Sequence, residues 1–475
     1  MILAVINRKT CRSVYRRIGA ALLCILPMAA FISSADNSYC FRVYLKDKGE
    51  TPFRISSPEA FLSPESVERR MLREVFVDDT DFPVSRGYID ELVAVGVSPV
   101  VQSKWMKTVV VESRDSTVVE RLKAIPFVDS LKCVWNGAGR QDVLPCSEND
   151  TAVFTSMDEP LENPYGYAEN QLEMLNGLRL HTAGYRGKGL RIAVIDAGFM
   201  HVDRMDAFSS MNLLGAHNVT FPGRSIFCED DHGTKVLSCM AANLPGIMIG
   251  SAPDAAFLLI KSEDTRGEYP LEEDFWAAAV EYADSVGIDI ISSSLGYFRF
   301  DSLADYYTRM DLNGQTAFIS RVADLAAKKG MLVVSSAGNE GNSEWEKITF
   351  PADVPDILTV GSVTSDKEKS SFSSVGMTAD YRIKPDVVAL GTHVCVTGSA
   401  GQVQYTSGTS FSAPTVAGFA ACLWQAFPLL KNTGLIELIK ESSGQHRQPD
   451  AQMGYGIPDM FDAYNKANSD ALRNL

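Results

Sequence analysis

The sequence predicts an α/β fold in which a mostly parallel sheet has helices on both faces, preceded by a small α+β domain. Apolar segments alternate with longer helical stretches over the C-terminal two thirds of the chain. Strands that are buried on both faces have this nearly continuous apolar pattern, and helical crossovers make such strands parallel. The predicted strands are 190–195, 256–261, 288–293, 331–335 and 357–363. The predicted helices between them are 234–242, 271–286 and 318–329.

The first part of the chain has a different pattern. Strand and helix signals over residues 36–135 follow the order β-α-β-β-α-β, which is typical of a ferredoxin-like unit. Ser63 followed by proline predicts a helix start, and Thr117 with Glu120 predicts a capping box. Residues 136–165 are polar and lack an apolar period, so we expect a linker there that is open to cleavage.

The extreme N-terminus predicts export. Arginines precede an apolar run over 18–32, and small residues follow it, so 1–35 is interpreted as a signal peptide. The mature protein would then be secreted, periplasmic or on the cell surface, with no membrane span. An uncleaved N-terminal anchor and a lipid anchor at Cys24 are the alternatives.

Overall composition narrows the class of partner. The chain has 475 residues and a formal net charge of -15. No basic patch follows the N-terminal arginines, which argues against nucleic acid as a partner. Neither Cys-x-x-Cys nor His-Glu-x-x-His occurs, so no metal site is predicted.

Three residues suggest nucleophilic catalysis. Asp196 ends a predicted strand, while His232 and Ser410 each stand where a helix begins. Alone, each has an ordinary structural interpretation as a turn or helix cap. Together they supply a nucleophile, a base beside it and an acid that orients the base.

The motifs around these residues resemble the subtilisin-like serine proteases, or subtilases, over about residues 166–466. They are Asp-x-Gly at 196–198, His-Gly-Thr at 232–234 and Gly-Thr-Ser-x-Ser-x-Pro at 408–414. The order Asp, His, Ser is also that of subtilisin. A fourth match is 336–341, which contains Asn339, and a fifth is 293–296; weaker matches are 250–253 and 454–456.

The resemblance implies a serine endopeptidase with a catalytic domain over 166–475. His232 would be the general base, Asp196 its orienting partner and Ser410 the nucleophile, while Asn339 would donate to the oxyanion. A protein or peptide substrate would bind as an added strand. The implied substrate-binding residues are Ser294, Leu295, Gly296, Ser336, Ala337, Gly338 and Thr349. Thr349 stands where the family usually has a smaller residue, and Ala197 where it usually has Ser or Thr.

The resemblance also implies that the N-terminal domain is a propeptide that inhibits its own catalytic domain, with a permanent accessory domain as the alternative. A catalytically silent subtilase-fold binding protein is the rival function, and a narrow processing protease is a second. No cofactor is required; structural calcium is possible, but the short 200–203 stretch makes a site there doubtful. Spacing allows disulfides Cys40–Cys133 or Cys228–Cys239 without deciding between them.

Overall fold

The N-terminal domain is a four-stranded antiparallel sheet with helices. The computed structural model describes residues 37–138, 153–301 and 307–473, so the predicted signal peptide lies outside the described residues. The strands are β1 (Asn37–Leu45), β2 (Ser98–Ser103), β3 (Thr108–Ser113) and β4 (Val128–Ala138). The helices are α1 (Pro64–Arg73), α2 (Arg86–Ala94) and α3 (Val118–Lys123). The strand order β2-β3-β1-β4 is that of the predicted ferredoxin-like unit.

Helix caps in this domain follow one prediction and contradict another. The Ser63 side chain accepts from the amide of Ser66 at 3.2 Å, and Pro64 takes the first helical position, as the sequence indicates. The predicted capping box at Thr117 is wrong, because its side chain makes no cap bond. The Thr117 hydroxyl bonds Asp115 Oδ1 at 2.6 Å instead, since the preceding turn offers a nearer carboxylate.

The large sheet has seven strands, and every pairing within it is parallel, which confirms the predicted fold class. The strands are β5 (Arg191–Asp196), β6 (Asn212–Asn218), β9 (Ala256–Lys261), β10 (Ile290–Ser293), β11 (Leu332–Ser336), β12 (Leu358–Val363) and β13 (Val387–Leu390). Their order is β13-β12-β11-β10-β5-β9-β6. The short pairs β7 (Asn243–Leu244) with β8 (Met248–Ile249) and β14 (Val394–Thr397) with β15 (Val403–Thr406) lie outside it.

The helices cover both faces of this sheet. They are α4 (Glu169–Glu173), α5 (Leu178–Thr182), α6 (His232–Ala241), α7 (Leu271–Ser285), α8 (Phe318–Lys328), α9 (Thr409–Ala426), α10 (Asn432–Glu441) and α11 (Met460–Arg473). Alternate residues of β5 enter two different apolar clusters: Ile192 and Val194 pack with α6 and α9, whereas Ala193 and Ile195 pack with α7 and α8. This alternation follows from the strand period of two and places one core on each side of the sheet.

The N-terminal sheet packs against α7 and α8, and the two domains share one apolar cluster that includes Trp105 and Trp135. Arg42 of β1 pairs with Asp274 of α7, with its Nε and Nη2 each 2.7 Å from a carboxylate oxygen. Glu281, near the end of α7, accepts from the backbone amides of Lys104 and Trp105. A buried guanidinium–carboxylate pair is geometrically specific, so these contacts fix how the domains meet.

The second half of the predicted linker is held against the C-terminal domain. Phe154 accepts from the Asp206 amide at 3.2 Å and donates to the Arg204 carbonyl at 2.9 Å. Asp158 accepts from the amide of Val403 at 2.6 Å. Residues 139–152, the other part of that linker, lie outside the described residues.

The cysteine pairings that spacing allowed are not formed. Cys40 and Cys133 are present as thiols, so they do not bond to each other. Cys228 is in a disulfide, but Cys239 is a buried thiol, which excludes their pairing. Within the described ranges we find no helix that is both long and apolar enough to cross a bilayer.

Candidate active site

Asp196 and His232 are in direct contact. Asp196 ends β5 and is fully buried, while His232 opens α6 with a side chain that is 34% exposed. Asp196 Oδ1 lies 2.7 Å from His232 Nδ1. Burial lowers the pKa of His232, but the charge of Asp196 and this hydrogen bond outweigh it and raise the pKa above its ordinary value. The carboxylate therefore favours the protonated imidazole and fixes Nδ1 toward itself, leaving Nε2 for a proton transfer.

Two glycines explain why the loops after Asp196 and His232 can meet. A Cβ on Gly198 would overlap the backbone oxygen of Glu229, just before the His232 helix. A Cβ on Gly233 would overlap the backbone oxygen of Gly198. The two motifs thus need glycine because one backbone lies directly against the other.

Ser410 is the second residue of α9, and it is 6% exposed. Its Oγ lies 3.5 Å from the carbonyl oxygen of Ser294, and in the part of the chain described here its hydroxyl makes no hydrogen bond to His232. The ring of His232 lies beside that of Phe411, the next residue after Ser410, with 5.8 Å between ring centroids. The start of α9 therefore lies near the His232 ring, and catalytic hydrogen bonds are often loose before substrate binds.

Asn339 lies beside the start of α9 and is held by Thr409. Asn339 Oδ1 accepts from the Thr409 amide at 2.9 Å and from its hydroxyl at 3.0 Å. Because a backbone amide can only donate, this contact fixes which end of the Asn339 side chain faces Thr409. Asn339 Nδ2 is left to donate elsewhere, as is the amide of Ser410 in the first turn of α9, where intrahelical acceptors are lacking.

Two segments flank the start of α9, and they contain six of the seven predicted substrate-binding residues. Ser294 Oγ donates to the carbonyl of Ser410 at 2.9 Å, and Gly338 N donates to Thr409 Oγ1 at 3.2 Å. Ser294 is buried, whereas the backbone at Gly296 is exposed and can accept a further strand. The segments are 294–296, which follows β10, and 336–338, which leaves β11.

Charged groups surround the buried carboxylate. Lys261, which pairs with Asp196 in the sheet register, donates its Nζ to the carbonyls of Ala197 and Glu263 at 2.7 and 2.6 Å. Burial raises the pKa of Glu263 to about 7, while the Tyr297 hydroxyl that donates to it acts to lower that pKa. Asp196 Oδ2 is buried without a hydrogen-bond donor among the described residues.

Over the described ranges no three His, Cys, Asp or Glu side chains converge as metal ligands. In the 200–203 stretch, His201 Nδ1 contacts the Ser399 carbonyl at 2.8 Å, and Asp203 lies 3.7 Å from the guanidinium of Arg204. The His201 ring of that stretch is therefore engaged by a protein neighbour.

Thr409 is the residue that sequence reasoning missed. The sequence motif identifies its neighbour Ser410, but it is Thr409 that makes the contacts that hold Asn339 and Gly338. Its position at the opening of a buried apolar helix was a signal that could have marked it.

Comparison with known proteins gives two family matches. Residues 187–456 match the model of the subtilase family, and residues 40–144 match that of the peptidase S8 propeptide domain of Bacteroidota. The 187–456 match includes all eleven residues singled out above as catalytic or substrate-binding candidates.

Relatives include several subtilisins. Subtilisin NAT of Bacillus subtilis subsp. natto is 30% identical over 286 residues, which is 59% of this chain and 66% of that protein. A subtilisin of Bacillus pumilus is 30% identical over 286 residues, with 59% and 91% covered. The minor extracellular protease Epr of Bacillus subtilis is 24% identical over 315 residues, with 65% and 43% covered. The chain thus spans just under two thirds of subtilisin NAT.

Proposed function

Because the chain belongs to the subtilase family, we propose that it is an exported serine endopeptidase made as a self-inhibited zymogen. The observation that carries this proposal is the 2.7 Å contact of Asp196 with His232, whose ring lies 5.8 Å from that of Phe411, the residue after Ser410 in the first turn of a buried helix. A carboxylate, an imidazole and a hydroxyl in this order can carry out acyl transfer to Ser410 and then to water.

Each group has a step in this reaction. His232 takes the proton of the Ser410 hydroxyl as Oγ attacks the peptide carbonyl, and then gives that proton to the leaving amine. Asp196 stabilises the imidazolium while it exists. The amide of Ser410 and Asn339 Nδ2 donate to the oxyanion, and the positive end of the α9 dipole adds to their effect. Water then attacks the acyl carbon while His232 takes its proton, the ester bond to Ser410 Oγ breaks, and His232 returns the proton to Oγ as the acid product leaves.

The substrate would be an extended peptide that adds a strand along 294–296. Main-chain hydrogen bonds give such binding its affinity, while side-chain pockets give it selectivity. Gly296 favours this arrangement because it is exposed and brings no side chain between the two backbones.

The N-terminal domain would act as the inhibitor. Its buried contacts with α7 hold it on the catalytic domain, and a series of contacts leads from β4 toward the substrate segment. Trp135 of β4 lies 4.1 Å from Tyr269 between ring centroids. The loop that contains Tyr269 is joined through Glu263 to Tyr297, which directly follows Gly296. We place the maturation cleavage before Phe154, because the backbone bonds of Phe154 tie the following segment to the catalytic domain.

A fluorophosphonate probe tests the enzyme directly, since it reacts only with an activated serine. The full chain, after self-processing, should be labelled on Ser410, and the Ser410→Ala chain should not be labelled. Ser443→Ala is the matched control, because Ser443 is a buried serine whose hydroxyl likewise donates to a helix carbonyl, that of Ile439 in α10. Absence of labelling in the processed wild type would favour the catalytically silent binding protein.

The zymogen is tested by mass. Wild-type chain should lose its N-terminal domain on incubation, whereas the Ser410→Ala chain should keep it. Equal processing of both would mean that another protease matures the chain. Export is tested separately by measuring the N-terminus of protein recovered outside the cytoplasm, where a start near residue 36 in the Ser410→Ala form is expected.

A further inference from the structure

In the proposed mode of peptide binding, the space next to Ser410 has two walls and a floor. The walls are the segments 294–296 and 336–338, which both bond to the start of α9. A peptide whose carbonyl sits at Ser410 and whose backbone follows 294–296 must place its side chain between these walls. The floor decides how large that side chain can be.

Thr349 forms this floor. Its amide donates to the carbonyl of Ala337 in one wall at 3.1 Å. The next residue, Phe350, exchanges both backbone hydrogen bonds with Tyr297, at 2.9 and 3.0 Å, which continues the other wall. Thr349 is thus tied to both walls by its backbone, and it is only 4% exposed.

The side chain of Thr349 fills the gap between the walls. A Cβ added to Gly296 would overlap Thr349 Oγ1, so that hydroxyl already lies against the Gly296 backbone. A Cβ added to Gly338 would lie 2.9 Å from both Oγ1 and Cγ2 of Thr349. One branched side chain therefore touches both walls, and a large substrate group cannot pass between them without moving it.

The lining of this space is polar. Thr349 Oγ1 is buried and has no hydrogen-bond partner among the described residues. The hydroxyl of Ser374 lies 2.9 Å from the position of a Gly338 Cβ. Pressing a large apolar group against an unpaired buried hydroxyl adds a desolvation cost to the steric one, whereas a substrate hydroxyl could pair with it.

We propose that this protein cleaves after small residues, namely Gly, Ala or Ser, and that Thr349 is the residue that excludes Leu, Met and Phe from the position of the attacked carbonyl. This inference rests on the proposed function. It names the substrate class of that same site.

The test uses the full chain after self-processing, with active sites counted by fluorophosphonate labelling. Fluorogenic peptides that differ only in the residue before the cleaved bond carry Gly, Ala, Ser, Leu or Phe. We expect kcat/KM to favour Ala over Phe by about tenfold or more, since even one methylene group in a pocket discriminates by about 10–200-fold.

Two variants separate the effect of the size of the residue 349 side chain on selectivity from the effect of its polarity. Thr349→Gly removes the floor and should shift the Phe-to-Ala ratio of kcat/KM at least about tenfold toward Phe. Thr349→Val keeps the volume and removes the hydroxyl, so it should still exclude Phe but lose any preference for Ser over Ala. If Thr349→Gly does not fold, Thr349→Ser removes one methyl group and should shift the ratio in the same direction.

The outcomes distinguish a failure of the proposed role of Thr349 from a failure of the proposed peptidase function. A labelled wild type that prefers Leu or Phe, or a folded Thr349→Gly chain with an unchanged ratio, overturns the role of Thr349 and leaves the peptidase intact. A processed wild type with no more labelling than Ser410→Ala overturns the peptidase, and the selectivity falls with it.

Discussion

Asp196 Oδ1 lies 2.7 Å from Nδ1 of His232, in a place where the carboxylate is fully buried and the imidazole is one third exposed. This pair couples the ionisation of the base to a charge that solvent does not screen. The exposed side of the imidazole remains open to a substrate.

On the acid side of the pH profile, kcat/KM should therefore begin to fall at a higher pH than it would with a histidine of ordinary pKa. The reaction needs neutral His232, and its raised pKa keeps it protonated further up the pH scale. Asp196→Asn should move the acid limb of kcat/KM to lower pH and reduce kcat by about 10⁴, as the same change does in another Ser-His-Asp protease. His446→Asn, a change at an exposed residue after α10 whose ring contacts the Ser443 carbonyl, should leave the limb in place. An acid limb that does not move in Asp196→Asn would mean that another group sets it.

Removing the side-chain amide of Asn339 should slow the chemical step more than it weakens binding. Asn339→Ala should lower kcat by about 10²–10³ with little change in KM; that magnitude comes from subtilisin, a member of the same family. Asn339→Asp keeps the acceptor for Thr409 but replaces the donor with a negative charge, so it should be at least as slow. Steady-state kinetics on one peptide checks both, and a rise in KM at constant kcat would contradict the oxyanion role.

Arg42→Ala should loosen the inhibitory domain. The change leaves Asp274 buried without its guanidinium partner, which costs about 3–5 kcal/mol for a buried ion pair. The full chain should then release activity after a shorter lag, and the Ser410→Ala form should melt at a lower temperature. Arg86→Ala is the control, because its pair with Asp90 is exposed on the same domain. An unchanged lag would show that this pair does not hold the domains together.

Stability should fall as pH rises toward neutrality, in part because of Glu263. Burial raises its pKa to about 7, so between its unfolded value, about 4.3, and 7 the folded chain binds more protons than the unfolded chain. This stability is present at low pH and is lost by pH 7, at up to about 1.4 kcal/mol per pH unit. Denaturant unfolding of the Ser410→Ala chain from pH 4.5 to 8 measures it. Glu263→Gln should flatten the curve and Glu368→Gln, an exposed change of equal charge, should not.

Much of the fold was predictable because its signals are local. Buried parallel strands such as β9 have uninterrupted apolar sequences, and their predicted ends lie close to the observed ones. The strand β6 was missed because its residues are mostly exposed at the sheet edge and lack any apolar period. The strand β13 was missed because its short apolar run stands between Pro385 and Gly391, residues that are typical of a loop.

The functional residues likewise divide into those that local sequence signals identify and those that they do not. Asp196, His232 and Ser410 stand in recognisable motifs, so their residue types and order were visible in the sequence. The contacts of Thr349 with both walls depend on a loop returning across the sheet, which no local pattern encodes. The disulfide state of Cys228 is likewise a matter of three-dimensional distance rather than spacing.

Thr409 also bears on how the site responds to thermal motion. Its amide and hydroxyl form hydrogen bonds with Gly338 and Asn339 of the neighbouring loop, and the attacking oxygen belongs to the next residue, Ser410. A small shift of α9 would therefore move Ser410 Oγ and the Asn339 carboxamide together. Fluctuations of the protein should consequently leave the distance between Ser410 Oγ and the carboxamide nearly constant. The His232 imidazole lies on α6, so its distance to both should vary more.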